Sequence, residues 1–206
     1  MKIRNTLGKF AGEVARAIRN FKYELTEGGI YLPAAKVSIG GVFRHAHAPA
    51  GGEFGPWAVD PNRVVNQGLN HILNTALGGA TQVTAYYLAP FSGNVTPAAN
   101  WTAANFTANA TEFTAYTSAA RLPWTTAAST AQAIGNSAAV AASTMEFNGT
   151  GPHSVYGIGL LSASAKSATT GVLVAGTRFA NPRTNMSPGD RLALEYVLAA
   201  LDEADA

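Results

Sequence analysis

The fold is decided by three segments near the end of the chain, which read SVYGIGLL at residues 154–161, GVLVAGTRF at 171–179 and DRLALEYVL at 190–198. All three are rich in β-branched, aromatic and aliphatic residues, and turn signals built from Gly, Pro and Asn separate them. With three similar segments before them, they predict a mainly β protein whose body is an antiparallel sandwich or barrel. The six predicted strands are 82–88, 112–117, 139–147, 154–161, 171–179 and 190–198.

The last segment is open to two interpretations. By intrinsic propensity, residues 191–198 could equally form a helix. The segment follows the turn signal Pro188-Gly189-Asp190, however, and its apolar residues alternate with the other residues, which is typical of a strand. A strand is therefore favoured here, with Leu192, Leu194, Tyr196 and Leu198 on one face.

The surface of such a body would carry little charge. Apolar residues make up 47% of the 206 residues, whereas Asp, Glu, Lys and Arg make up only 13%, about half the usual share in a soluble domain. Because charge keeps molecules apart in solution, a monomer with this composition would be poorly protected against association. The composition therefore predicts a non-catalytic building block of a larger assembly, whose surface is largely covered by partners.

Charge is distributed unevenly along the chain. Residues 1–22 carry six basic residues against Glu13 alone, and residues 202–206 carry three acidic residues. Residues 23–201 hold eight basic and eight acidic residues and are neutral on balance. We therefore divide the chain into a basic N-terminal helical arm at 1–28, a β-rich body with an inserted helix at 29–201, and an acidic tail at 202–206.

The arm is predicted to form an amphipathic helix from about residue 5 to residue 21, because its apolar residues recur at spacings of three and four. Such a basic helix can bind a membrane or an acidic partner, or dock on its own body or on a neighbouring subunit. We favour docking and expect no membrane contact. The candidate partner-binding residues of the arm are Arg4, Lys9, Phe10, Val14, Arg16, Ile18, Arg19 and Phe21.

A further helix is predicted at about residues 62–77. Asp60-Pro61-Asn62 provides a start signal, and Gly78-Gly79 provides a stop signal. His71 lies beside the apolar stripe, where a packed or hydrogen-bonded histidine is favoured over a catalytic one. The stripe consists of Val65, Leu69, Ile72, Leu73, Ala76 and Leu77.

No motif in the sequence indicates catalysis. The patterns of a nucleophile elbow, a phosphate loop, a dinucleotide fingerprint and a zinc helix are absent. His45 and His47 alternate on a predicted strand, but no further ligand with suitable spacing lies nearby, so no metal site is expected. The chain also has no Cys, which excludes disulfides and thiolate metal sites. We predict a protein that is not an enzyme and has no catalytic, cofactor-binding or metal-binding residues.

The predicted loop at residues 92–109 contains Trp101 and Phe106. Aromatic side chains on an exposed loop can contact a carbohydrate or protein partner. They can also pin the loop onto the body, and this packing interpretation is favoured. Both residues are kept as candidate partner-binding residues.

Several segments of the body carry packing and turn patterns without catalytic content. They are GIYLP at 29–33, VVNQGLNHILNTAL at 64–77, YYLAPFSGNVTP at 86–97, RLPWT at 121–125, VYGIGLLSASAK at 155–166, GVLVAGTRF at 171–179 and GDRL at 189–192. Through them, residues 28–198 resemble a family of tailed-bacteriophage virion structural proteins. The resemblance implies a homo-oligomeric virion component assembled in the host cytoplasm. Its implied partners are the major capsid protein or other virion proteins, with no specific nucleic acid, no membrane and no cofactor.

Three hypotheses on its role stay open at this point. The first is a capsid decoration (cement) protein that stabilises the shell of a tailed phage. The second is a tail, adaptor or fibre-associated ring component. The third is a host-glycan-binding module or hydrolase that uses Trp101 or the pair Tyr86 and Tyr87. Copy number separates the first two, since on the order of hundreds of copies imply cement and about six or twelve imply a ring.

Overall fold

The computed structural model describes residues 24–26, 29–31, 37–129 and 131–202. The predicted helix at residues 5–21 lies outside the described residues, together with the eight candidate partner-binding residues of the arm. Most of the predicted acidic tail, residues 203–206, lies outside them as well. The other two candidate partner-binding residues, Trp101 and Phe106, lie within the described part of the chain.

The chain divides into two compact units, one formed by Met1–Ser38 with Ala200–Ala206 and the other by Ile39–Ala199. In the first unit, strand β1 (Glu24–Thr26) pairs antiparallel with strand β2 (Gly29–Tyr31), and Leu25 lies opposite Ile30. These two strands lie on either side of residue 28, where the sequence places the end of the arm.

The prediction of a mainly β protein with antiparallel sheets is confirmed. Among the described residues there are two α-helices, α1 (Asn66–Ala76) and α2 (Ala103–Ala110), and one 3-10 helix at Ser137–Ser143. None of the helices found there has the length and apolar content that a membrane span requires. The remaining strands are β3 (Val37–Ala48), β4 (Ala58–Pro61), β5 (Arg63–Val64), β6 (Tyr87–Phe91), β7 (Leu122–Pro123), β8 (Ala133–Gly135), β9 (Thr144–Glu146), β10 (His153–Leu161), β11 (Leu173–Met186) and β12 (Arg191–Asp202).

These strands form two open sheets. The first has the order β5-β11-β10-β6-β7, and the second has the order β4-β3-β12-β8 with β9 also paired to β12. In the first sheet, β10 is the central strand and pairs antiparallel with both β11 and β6. Neither sheet closes on itself into a ring of strands.

The first sheet buries apolar side chains on both faces, which explains why its strands read as continuous apolar runs. One face contributes Leu160 and Val174 to a core cluster that also contains Phe43 and Tyr196 of the second sheet. The rings of Phe43 and Tyr196 stack with their centroids 4.1 Å apart. The other face packs against α2 and the residues before it, in a second cluster that contains Leu161.

The strand predicted at residues 139–147 is wrong for most of its length. A 3-10 helix occupies Ser137–Ser143, and only Thr144–Glu146 is extended as β9. The buried side chain of Asn136 explains the change, because its amide binds the backbone of β12 directly. Asn136 accepts a hydrogen bond from the Tyr196 amide at 2.9 Å and donates one to the Leu194 carbonyl at 3.2 Å. Small Ala and Ser side chains then allow the tight helical turn.

Pro90 and Pro182 lie beyond the predicted strands 82–88 and 171–179, but both are inside strands of the structure. In a strand, the N–H and C=O of one residue point to the same side, so a proline is tolerated where that side needs no ladder donor. The carbonyl of Pro90 in β6 accepts from the Phe113 amide at 2.8 Å, so its missing N–H also faces away from β10. Pro182 lies in β11 where the register with β10 shifts, between the pairs Gly157–Arg178 and Val155–Arg183.

Candidate functional site

Carboxylates are mostly buried in the body. Residues 38–200 contain six Asp and Glu residues, and only Glu53 and Glu146 are exposed. Of the seven Lys and Arg residues in the same range, only Arg121 is buried. The described surface is therefore poor in acid even though the sequence of the body is neutral. The buried carboxylates are Asp60, Glu112, Asp190 and Glu195.

Glu112 forms a fully enclosed ion pair with Arg121. Arg121 Nε donates to Glu112 Oε1 at 2.9 Å and Nη2 donates to Oε2 at 2.7 Å, and both side chains are 0% exposed. Arg121 also donates to the carbonyls of Ala163 and Ala168, while Glu112 accepts from the hydroxyl of Thr107. The pair thus ties three segments together. Both carboxylate oxygens of Glu112 accept hydrogen bonds in these contacts. The side chain of Glu146, in contrast, is exposed on β9.

His45 is held between a cation and an anion. Arg183 Nε donates to His45 Nδ1 at 2.9 Å, and His45 Nε2 lies 3.2 Å from Asp60 Oδ2. Burial, reinforced by the charge of Arg183, lowers the pKa of His45 to about 4. His47 faces a different carboxylate, Asp190, at 3.5 Å. The two histidines therefore do not converge, and among the described residues no three His, Asp or Glu side chains are grouped to hold a metal ion.

An exposed aromatic patch lies on the loop between β3 and β4 and at the start of β4. Its members Phe54, Trp57 and Val59 are 39%, 36% and 57% exposed. The Arg191 guanidinium lies 5.0 Å from the Phe54 ring centroid, and the Arg44 guanidinium lies 5.2 Å from that of Trp57. We name Phe54, Trp57 and Val59 the aromatic patch. Two aromatic residues among glycines were a usable sequence signal for this surface.

The loop that carries the aromatic patch is anchored to the body. The Ala50 amide donates to Asp190 Oδ1 at 3.0 Å, and Arg191 Nη2 donates to the Gly52 carbonyl at 2.6 Å. Backbone hydrogen bonds from Gly52 to Pro49 and from Gly55 to His47 add two further constraints. These contacts order the loop, so its aromatic side chains are presented by a defined backbone.

Helix α1 confirms the prediction of a helix near residues 62–77, and it begins later because Arg63–Val64 pair with β11 instead. Only Gly68 of the helix is buried, and the helix contains no charged residue. Leu73 is 53% exposed, and Leu77, which follows the last residue of α1, is 84% exposed. The predicted apolar stripe is thus only partly covered by the body. We name Leu73 and Leu77 the α1 leucines.

A groove lies beside Tyr86 and Tyr87. A cavity of about 350 Å³ is lined by both tyrosines and Trp124, and a neighbouring cavity of about 380 Å³ shares Tyr86 and Gln82. Among the described residues, no charged side chain lines either cavity. His71 lines the second cavity, and its Nε2 lies 2.7 Å from the Tyr86 hydroxyl. The histidine is hydrogen-bonded, as favoured above. We name this pair of cavities the tyrosine groove.

Trp101 and Phe106 are placed in the core rather than on a free surface. Trp101 is 8% exposed and Phe106 is 0% exposed, and their rings make an edge contact at 6.4 Å. Phe106 lies on α2, a helix within the segment that was predicted to be a loop, and also contacts Phe91 of β6. Their side chains pin this segment onto the first sheet. In this structure they offer a partner little or no surface.

Comparison with protein-family models and with curated protein sequences finds no match for this chain. The resemblance to virion structural proteins therefore depends on the sequence segments alone. Those segments include β6 and β10 and the start of β11, which pack in the two core clusters. The segments thus describe packing and turns, and the virion role stays a prediction.

Proposed function

We propose that this chain is a non-enzymatic virion structural protein, a capsid decoration (cement) protein that binds and stabilises the shell of a tailed phage. The observation that carries the proposal is the distribution of side chains in the described body. Four of six carboxylates are buried, while the aromatic patch and the α1 leucines are exposed. Charged side chains normally lie outside, and exposed apolar groups that cluster mark sites of interaction. This distribution suits a protein covered by partners.

The aromatic patch has the composition of a binding hot spot. Trp, Tyr and Arg dominate the energy of protein interfaces, and here Trp57 and Phe54 each lie beside an arginine. The hydrogen bonds to Asp190 and Arg191 already order the loop, so little conformational entropy is lost when a partner binds. Several such weak contacts, repeated over a symmetric shell, would add to a stable attachment.

The proposal includes the architecture of the body and the role of the arm. We take the two open sheets that share one core cluster as a β-sandwich, which provides a rigid neutral body. The basic segment at residues 1–28 binds neighbouring subunits, because an arm of net positive charge is attracted to acidic surfaces.

Localisation and copy number in purified particles test the proposal directly. A cement protein is expected on the order of hundreds of copies, following the symmetry of the shell, whereas a tail, adaptor or fibre-associated ring needs about six or twelve. The ring outcome would replace the first role with the second. Complete absence from the particles of the phage that encodes the chain would refute both.

Substitution of the aromatic patch tests the surface itself. Trp57→Ala and Phe54→Ala are expected to weaken attachment to shells by about tenfold or more each, as for central interface aromatics. Glu146→Gln is the matched control, since Glu146 is exposed on β9 and lies outside the aromatic patch. Equal attachment of all three variants, measured by co-sedimentation, would exclude the aromatic patch as the binding surface.

A second candidate function, glycan binding, is favoured by the tyrosine groove. Aromatic rings stack on sugar faces and amide or hydroxyl groups bind sugar hydroxyls. The groove offers both through Tyr87 and Gln82, and none of the described residues that line it is charged. Retention of a neutral glycan on an array by the natural chain, and loss of it in Tyr87→Ala, would establish this function. If no neutral glycan is retained, the groove has no such role.

A further inference from the structure

A small cleft lies where β5 meets β11. Its volume is about 250 Å³, and both Arg63 and Arg178 line it. Arg63 pairs with Gly176 across the two strands. Arg178 is two residues further along β11, so the two arginine side chains leave the same face of the sheet as diagonal neighbours. Gly176 between them has no side chain, which leaves room for the cleft.

The arginines of this cleft differ from the other arginines of residues 38–200. Arg44 and Arg121 each form an ion pair with a buried glutamate. Arg183 bonds to His45 beside Asp60, and Arg191 donates to a carbonyl and packs on Phe54. In contrast, the Arg63 side chain makes no hydrogen bond or ion pair with any described residue, and none of the described carboxylates lines the cleft. Within the described part of the chain, two like charges thus share one concave site without a counter-charge.

Arg178 is oriented for binding by its own contacts. Its Nε donates to Asn94 Oδ1 at 2.6 Å, which fixes the guanidinium plane while leaving the terminal nitrogens for other acceptors. Only a long contact of 3.5 Å joins Nη1 to the Phe179 carbonyl. Pro97 packs over Gly176, since an added Cβ there would lie 3.2 Å from Pro97 Cγ. Pro97 and the Arg178 guanidinium are therefore both held in position before a ligand binds.

We propose that this cleft, which we name the arginine cleft, binds an oxyanion, either a carboxylate or a phosphate group. A guanidinium pair matches the planar or tetrahedral oxygens of such groups through paired N–H donors. The volume is below the usual range for whole drug-sized ligands, so the cleft accepts one small group. The group is either a free ion or the acidic end of a larger ligand, and its chemistry is the same in both cases.

Titration of the isolated full chain tests the proposal, whether or not the chain belongs to a particle. Inorganic phosphate and sodium acetate are added separately at low ionic strength, because salt screens exposed charges. Amide shifts of Gly176 and the Nε–H shift of Arg178 are followed by NMR. We expect saturable binding in the millimolar range or tighter for at least one ion. Binding of phosphate alone identifies a phosphate site, and binding of both ions identifies a general oxyanion site.

Three variants with equal loss of charge give the control. Arg63→Gln and Arg178→Gln are each expected to weaken binding by about fivefold or more, because each removes one charged donor. Lys166→Gln removes one positive charge outside the cleft, since Lys166 bonds to the carbonyls of Thr114 and Tyr116, and it is expected to bind like the natural chain. The absence of saturable shifts in the natural chain, or an equal loss in Lys166→Gln, would overturn the proposal.

Discussion

His45 links the two sheets at the scale of single residues. It lies on β3 of the second sheet, while Arg183 lies on β11 of the first. Because the Arg183 guanidinium can only donate, His45 Nδ1 must be the acceptor and Nε2 must carry the proton toward Asp60. The hydrogen bond from Arg183 therefore requires the imidazole of His45 to be neutral. Protonation at Nδ1 would break it and place two cations side by side.

The first prediction is a loss of stability in mild acid. The pKa of His45 falls from the ordinary value of 6.5 to about 4 in the folded protein. Between these values the unfolded chain binds a proton that the folded chain does not, so the free energy of unfolding decreases as pH falls. This part of the stability is complete above about pH 6.5 and amounts to on the order of 3 kcal/mol. Urea unfolding of the natural chain and of His45→Gln between pH 7.5 and 4 measures it.

The variant is expected to lack this part of the pH dependence. NMR titration of the four histidines provides a second measurement that does not require a stable variant. A His45 imidazole that titrates near its ordinary pKa would contradict the assignment, as would identical pH profiles for the two proteins.

The second prediction concerns the enclosed pair of Glu112 and Arg121. Arg121→Met leaves a buried carboxylate without its cation, so we expect the free energy of unfolding to fall by about 3–5 kcal/mol. The double variant Arg121→Met/Glu112→Leu removes both charges and is expected to recover most of this loss. Urea unfolding of the three proteins measures both effects. Equal instability of the single and double variants would show that the charges are not the cause.

At the scale of elements, α1 depends on one glycine. Helix α1 contacts β11 at Gly68, where an added Cβ would collide with the backbone carbonyl of Val174. Glycine normally weakens the interior of a helix, so its presence here reflects the close approach of helix and strand. The close contact between α1 and β11 therefore fixes the position of the α1 leucines and of His71, which lines the tyrosine groove.

The third prediction is that Gly68→Ala destabilises the body despite the better helix propensity of alanine. The helix must move away from β11, and we expect a loss of about 1–3 kcal/mol in the free energy of unfolding. Asn70→Ala is the control, because Asn70 is exposed on the same helix and should change stability by less than about 0.5 kcal/mol. Thermal and urea unfolding compare the two variants. A neutral Gly68→Ala would mean that α1 is not in close contact with β11.

Elements with local signals could be predicted from the sequence, and elements that depend on distant partners could not. The apolar spacing and the flanking Asp-Pro-Asn and Gly-Gly signals were enough for α1. Helix α2 lacks such a periodicity, and its start depends on the Asn105 side chain, which accepts from the Thr102 amide at 2.8 Å. The 3-10 helix at residues 137–143 depends on Asn136 binding β12, some 60 residues later in the chain.

The candidate site shows the same division. Low charge in the body was visible from composition, and Tyr86 and Tyr87 were recognised as a pair. Burial of carboxylates such as Glu195 was not predictable, because its partner Arg44 lies 151 positions away in the sequence. Trp101 and Phe106 could have been surface anchors or core anchors, and only the packing of α2 distinguishes these alternatives. The exposure of the α1 leucines was not predictable either, because it depends on how the other elements pack against α1.

At the scale of the whole molecule, charge is separated by position along the chain and by depth in the body. Residues 1–22 carry six basic residues, whereas most acidic side chains of the described body are buried. A partner that binds as proposed would contact exposed apolar groups of the body and the basic residues of this segment. These two kinds of contact respond differently to salt, because screening weakens exposed charges and leaves apolar contacts largely unchanged.

The fourth prediction uses this difference. Deletion of residues 1–22 is expected to leave the free energy of unfolding unchanged, because both core clusters lie within Ile39–Ala199. The truncated chain should attach to particles less tightly, and its attachment should depend less on salt. The control is a full-length chain in which Arg4, Lys9, Arg16 and Arg19 are replaced by Gln. If charge dominates, this variant matches the deletion, and if the apolar face dominates, it attaches like the natural chain. Attachment of the truncated chain at full strength and with full salt dependence would show that the arm takes no part in binding.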